Sequence, residues 1–335
     1  MLRSHTLVDP ALPGRCRLRS RDEAVPGFAG SAQQHVSEMH KRHLIFSALL
    51  IGSIAVFAAP IRDLVRLSLG DERYSHLLLI PPLAALLLCL KGRTAFQTPN
   101  YSPRVGATVL GLGAGLSILA WLAPTRPGTT WLAQDVHLSA QTSALLVIWM
   151  AAFLLCYGAR AFRQAIFPLL FLFLVVPLPT VVVDKAVIAL QHGSAAVTYG
   201  LFKLMQIPVL AQGVRLSLPG VDIEIAQECS GIRSSESLVI TSILAGYFLL
   251  HSAWTRTWLI ALTVPIAILK NAIRIATISG LGIYVNPAFL HGNLHRYGGL
   301  PFSLVALSML LLVLWLLRQW EAWGKENQAR AGALS

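Results

Sequence analysis

Apolar residues in this chain come in long, nearly unbroken runs, without the strict alternation that marks a half-buried strand. The runs lie at roughly 44–60, 75–90, 105–123, 138–157, 164–180, 235–251, 257–284 and 298–317. Several approach the roughly 20 residues that a helix needs to cross a bilayer. Continuous runs argue against a transmembrane β-barrel, whose strands alternate. The pattern predicts an all-α polytopic membrane protein with about eight transmembrane helices. It shows no internal repeat of the kind that builds a transporter from two related halves.

Between 181 and 234 the pattern changes. Residues 182–204 are apolar but interrupted by Asp184, Lys185, Gln191, His192 and Lys203. They predict an amphipathic or re-entrant helix near the outer face. A true crossing there would carry the chain that follows to the cytoplasmic side. Next, Val214-Arg-Leu-Ser-Leu218 and Val221-Asp-Ile-Glu-Ile225 alternate in polarity around Pro219-Gly220. That is the signature of a short extracytoplasmic β-hairpin, and its second arm leads to Cys229.

Composition agrees with the membrane class: of 335 residues, 55% are hydrophobic and 13% charged. Residues 1–42 form a basic, disordered cytoplasmic tail with Arg15, Arg17, Arg19 and Arg21. Residues 43–317 form one membrane domain, and 318–335 a cytoplasmic C-terminal tail. No apolar core precedes a small-residue cleavage site, so the first span acts as an uncleaved signal-anchor. The net charge of +12 would suggest nucleic acid in a soluble protein. Here the basic residues fall where cytoplasmic loops are expected, at Lys41, Arg42, Lys91, Arg93, Arg160, Arg163, Arg256, Arg318, Lys325 and Arg330. No nucleic-acid partner is expected. Arg62, Arg66 and Arg73 in an outer loop soften the contrast. Trp121, Trp131, Trp254, Trp258, Trp320 and Trp323 lie near span ends, as interfacial anchors do.

The same sidedness sorts the chemistry. Of four cysteines, Cys16 is in the tail and Cys89 and Cys156 are at cytoplasmic span ends, so Cys229 alone falls outside. It has no disulfide partner there and is a reactive-thiol candidate, the alternative being a buried structural cysteine. It precedes Ser234 and Ser235, which are suited to cap the next helix, and it lies close to Arg233; both features favour a thiolate. Arg274, with Asn271 three residues before it, falls in the outer half of an apolar span, where an arginine faces a polar cavity or a partner. His291 and His295 precede the last span, and histidine suits general acid–base work. Further zinc ligands beside these two histidines are not evident, and no metal or other cofactor is expected.

The residues Cys229-Ser-Gly-Ile-Arg233-Ser, Asn271-x-x-Arg274-Ile and His295-x-x-x-Gly299 with Phe302 resemble the exosortase/archaeosortase family, as does Tyr74-Ser75-His76. Leu77 stands where many members carry glycine. The resemblance covers roughly 43–317. It implies a multi-pass enzyme of the bacterial inner membrane, its active site facing the periplasm or exterior. Such an enzyme is a cysteine-type protease or transpeptidase acting on exported proteins that end in a Pro-Glu-Pro motif, a transmembrane helix and a basic tail. By motif position the catalytic set becomes Cys229, Arg274 and His295, with Arg233, Asn271, Glu228, Tyr74 and His76 as substrate contacts. Two other classes compete: a transporter or channel lined by Arg274 and the histidines, and a non-catalytic component of exopolysaccharide assembly.

Overall fold

A computed structural model describes residues 26–95, 103–122, 131–218, 221–225, 232–286 and 299–333. Helix α1 (Pro26–Val56) meets α2 (Ala58–Gly70) at a bend of 74°. Pro60, in the first turn of α2, lacks the N–H that would continue the helical ladder. Arg62 and Arg66, expected in a loop, lie on α2, and Arg66 is paired with Asp63. Residues 26–42, expected as part of the basic tail, are helical and continuous with the first span.

A 3₁₀ turn (Glu72–Leu78) leads into α3 (Ile80–Ala95), and α4 (Pro103–Leu122) packs along α5 (Trp131–Gln164). Helix α5 is broken at Gly158, whose φ of 82° and ψ of 173° are open to glycine and almost nothing else. The chain runs on through α6 (Ile166–Phe171) and a short 3₁₀ turn to Val175. Ser139 Oγ, near the start of α5, donates to the carbonyl of Pro177 at 2.6 Å. Gly158 is therefore a reversal: an arm of about 28 Å climbs from Ser139 at 1.5 Å per residue and its partner returns.

Helix α7 (Thr180–Leu204) follows, then strands β1 (Leu210–Gln212), β2 (Arg215–Leu218) and β3 (Val221–Glu224). The three form one antiparallel sheet in the order β1-β2-β3, with Leu218 opposite Val221. Alternation turns Leu216 and Leu218 inward, where they pack with Phe202, Ile207, Ile225, Ile275 and Ala276. Helix α8 (Ile232–Leu249), α9 (Ala253–Ala261), α10 (Thr263–Tyr284) and α11 (Gly299–Ala333) complete the chain. Helix α8 starts before Ser234 and Ser235, so these lie inside its first turns and do not cap it. Helix α11 runs well past 317 into the expected C-terminal tail.

Among the described residues, five helical stretches are long and apolar enough to cross a membrane, or six if α1 and α2 count as one bent span. Eight are not reproduced by length and apolarity. The expected spans at 138–157 and 164–180 fall in a single stretch, Asp135–Val175, folded at Gly158. The expected span at 235–251 is a shorter apolar helix, Ser234–Leu249.

The two ends of the bundle differ in chemistry. At one, Lys91 and Arg256 lie over the ring of Tyr247, which stacks on Phe167 at 3.5 Å. There Glu321 of α11 accepts hydrogen bonds from the backbone of His251 and Ser252 and from Thr255 Oγ1. At the other, Tyr74 donates to the carbonyl of Leu178 at 2.9 Å, and Arg73 bridges Asp71 and Asp184.

Gly158→Ala should introduce strain of about 1–3 kcal/mol and lower the unfolding temperature of the purified protein in detergent, read by a thermal melt. At Asp71, burial pushes the carboxyl up, but hydrogen bonds from Arg73 outweigh this and hold it below its ordinary value. A folded-state value below the unfolded one means stability that is present above the usual aspartate range and lost as pH falls through the lowered value. The acid limb of a pH–stability curve should therefore flatten in Asp71→Asn.

Candidate active site

The segment that carries Cys229 enters and leaves at one identifiable end of the bundle. Tyr74 binds the carbonyl of Leu178, just before α7. Two residues on, His76 Nδ1 lies 3.1 Å from Glu236 Oε2 in the first half of α8. The chain thus leaves this end at Leu178 and is back at it by Glu236. Helix α7 and the sheet stay tethered between these points, through Asp184 to Arg73 and through Gln191, whose Nε2 donates to the carbonyl of Ile225 at 2.8 Å. Whatever course the chain takes between them, Leu178 before α7 and Glu236 after the sheet are held at the same end. Helix α7 is a continuous 25-residue helix packed on α10.

The close approach of α7 and α10 rests on small residues. A Cβ on Gly193 would come within 2.9 Å of Ile268 Cδ1, and small side chains let helix backbones meet. At this crossing Asn271, 0% exposed, donates to Ser194 Oγ at 3.1 Å. Thr198, also buried, turns its hydroxyl to the carbonyl of Ser194. One residue before Asn271, Lys270 reaches across to α8, its Nζ 2.5 Å from Ser234 Oγ. A polar seam runs from α7 through α10 to the first turns of α8 and on to His76.

Set against the expected site, the structure places Arg274 half-buried on α10, three residues beyond Asn271 and on the same side of the helix. Tyr74 is 3% exposed and bound to Leu178, so it holds chain against chain. His76 is paired with Glu236, both side chains 21% exposed. Arg233 falls in the first turn of α8, and its side chain lies outside the described ones. Glu228, Cys229 and His295 lie outside the described residues. Among the described residues no group of three histidine, cysteine or acidic side chains is placed to hold a metal.

Sequence reasoning passed over Lys270, Ser234, Glu236, Gln191 and Ser194 as site residues. The signal for Lys270 was present, since a lysine in an apolar span is as costly as the arginine four residues later. Gln191 and Ser194 gave no such signal, because serine and glutamine in an apolar helix read as scattered polarity until their partners are known.

Asn271→Ala should destabilise the protein by about 1–3 kcal/mol, the cost of disturbing a buried hydrogen-bonded amide. In a double-mutant cycle with Ser194→Ala the coupling should be about 0.5–1.5 kcal/mol, read from denaturation in detergent.

No match was found among curated proteins or among solved structures. The family model for transmembrane exosortases matches residues 66–324, from α2 to the last helix. That match takes in the 3₁₀ turn of His76, the crossing of α7 and α10, and the whole of α8, and the chain belongs to the transmembrane exosortase family.

Proposed function

We propose that this protein is a cysteine-dependent protease or transpeptidase that removes C-terminal sorting signals from exported proteins. Family membership carries the general class, cysteine peptidase or transpeptidase. The observation that supports the site is the anchoring of the chain on both sides of Cys229. Ile225, four residues before it, is held by Gln191, and Ser234, five residues after it, by Lys270. Chain length alone keeps the Cα of Cys229 within about 14 Å of that of Ile225. Arg274 lies one turn beyond Lys270 on α10.

In this reading the thiolate of Cys229 attacks a backbone carbonyl near the Pro-Glu-Pro motif, and the new C–S bond replaces the C–N bond as a thioester. His295 gives a proton to the departing amine and then takes one from the acceptor that resolves the thioester. Arg274 donates to the oxyanion as it develops. Arg233 is suited to grip the glutamate of the motif. Water as acceptor makes the enzyme a protease; an amine makes it a transpeptidase. The substrate's own transmembrane helix packs against the spans and supplies binding energy.

The reading also assigns a side. The end carrying Lys91 and Arg256, with Arg318 and Lys325 on α11, follows the positive-inside bias and faces the cytoplasm. The site end then faces the periplasm or exterior from the bacterial inner membrane.

Cys229→Ala and Cys229→Ser should both abolish trimming while the protein still inserts. Comparing the C-termini of secreted proteins by mass spectrometry between the parent strain and a chromosomal Cys229→Ala strain checks this. Helix and basic tail kept in the mutant alone is the expected result, and identical C-termini in both strains would remove Cys229 as nucleophile. A membrane-impermeant maleimide should label Cys229 in intact spheroplasts, whereas labelling that waits for lysis would place it inside.

A further inference from the structure

We infer that Lys270 is a specificity-determining residue of this site, binding a carboxylate of the peptide substrate; the inference rests on the processing function proposed above. Lys270 is 4% exposed and lies at the crossing of α7, α8 and α10. Its ammonium has a neutral partner, the hydroxyl of Ser234. Among the described residues no carboxylate lies within ion-pair distance of it.

Lys91 and Arg256 at the other end of the bundle also have neutral partners, the ring of Tyr247 and a backbone carbonyl, but other charges do meet opposite charge or several donors. Arg73 meets two carboxylates, and Glu321 takes hydrogen bonds from His251 and Ser252 and from Thr255 in the first turn of α9. A charge out of water is normally compensated in this way, because an uncompensated one is strongly unfavourable. The next charge along α10 is another cation, Arg274, one turn away on the same face. An ammonium has three donors, and Ser234 takes one of them.

A carboxylate matches what is left. It accepts short, charge-assisted hydrogen bonds from an ammonium and brings a negative charge that no described residue supplies there. The location fits a peptide rather than a free ion. Lys270 touches Ser234 in the first turn of α8, so an acidic side chain bound there holds the peptide no more than five residues of chain from the proposed nucleophile. Lys270 acts through binding, and its loss should appear in affinity before it appears in turnover.

The test uses the full-length protein in nanodiscs and a synthetic substrate peptide with one glutamate, together with its glutamine twin. Binding is measured in the Cys229→Ala background and turnover in the wild-type background. Wild-type should bind the glutamate peptide at least tenfold more tightly than the glutamine peptide. With Arg233 intact, Lys270→Met should still lose most of that preference, while Lys270→Arg should keep most of it. In turnover, Lys270→Met should raise KM on the glutamate peptide at least tenfold and change kcat by less than threefold. Equal affinity of wild-type for both peptides, or an equal loss on both in Lys270→Met, would overturn the inference. The comparison of the two peptides on the Cys229→Ala protein leaves Lys270 intact, so equal affinity there overturns the inference even where a Lys270 variant misfolds. Processing that survives Cys229→Ala would defeat the nucleophile assignment and leave the peptide-binding comparison standing.

Discussion

A polar side chain in an apolar bundle has no water to turn to, so each one must find its partner within the protein. The organisation around the site follows from that constraint. Asn271 fixes α10 against α7 through Ser194, and Gln191 of α7 fixes the last residue after β3 through the carbonyl of Ile225. His76 fixes the 3₁₀ turn against α8 through Glu236. Dispersion and small-residue packing at Gly193 bring the helices together, but they are tolerant of sliding. Directional bonds between specific atoms set which turn of α7 faces which turn of α10, and so where the chain ends up beside Arg274.

Much of this was legible in the sequence, because apolar length and turn chemistry are local properties. The runs located the helices, and alternation around Pro219-Gly220 located β2 and β3. What the sequence hid is what depends on two distant segments at once. Gly158 looked like an ordinary residue between two spans, and its positive φ shows only in the folded chain. Strand β1 went unread because Leu210–Gln212 is too short to show a period and exists by pairing with β2. The segment after Leu178 was legible as a helix but ambiguous in its destination. Hydropathy measures how apolar a stretch is, not where it is held; here Tyr74 holds the chain just before α7 and His76 holds it again at Glu236 of α8.

The candidate site shows the same division. Arg274 and Asn271 stood out because charge and amide are conspicuous in an apolar span, and α10 presents them on one side. The expected substrate contacts Tyr74 and His76 prove to bind other parts of the chain. An aromatic hydroxyl and an imidazole near a span end are compatible with either job, and sequence alone does not distinguish a residue that touches a ligand from one that holds the frame.

The pairing of β2 with β3 has a consequence for how members of such a family can vary in length. Leu216 and Leu218 point inward, packed on α7 and α10, while Arg215 and Glu224 pair across the exposed face. A shift of one residue in β2 would turn this apolar pair outward and Arg215 and Ser217 inward, and a shift in β3 would do the same to Val221 and Ile223 opposite them. Insertions and deletions are therefore expected to collect between Leu218 and Val221, where extra chain costs little. From Val221 onward each residue counts towards the distance between the sheet and Cys229, so that short stretch should tolerate substitution far better than a change in its length.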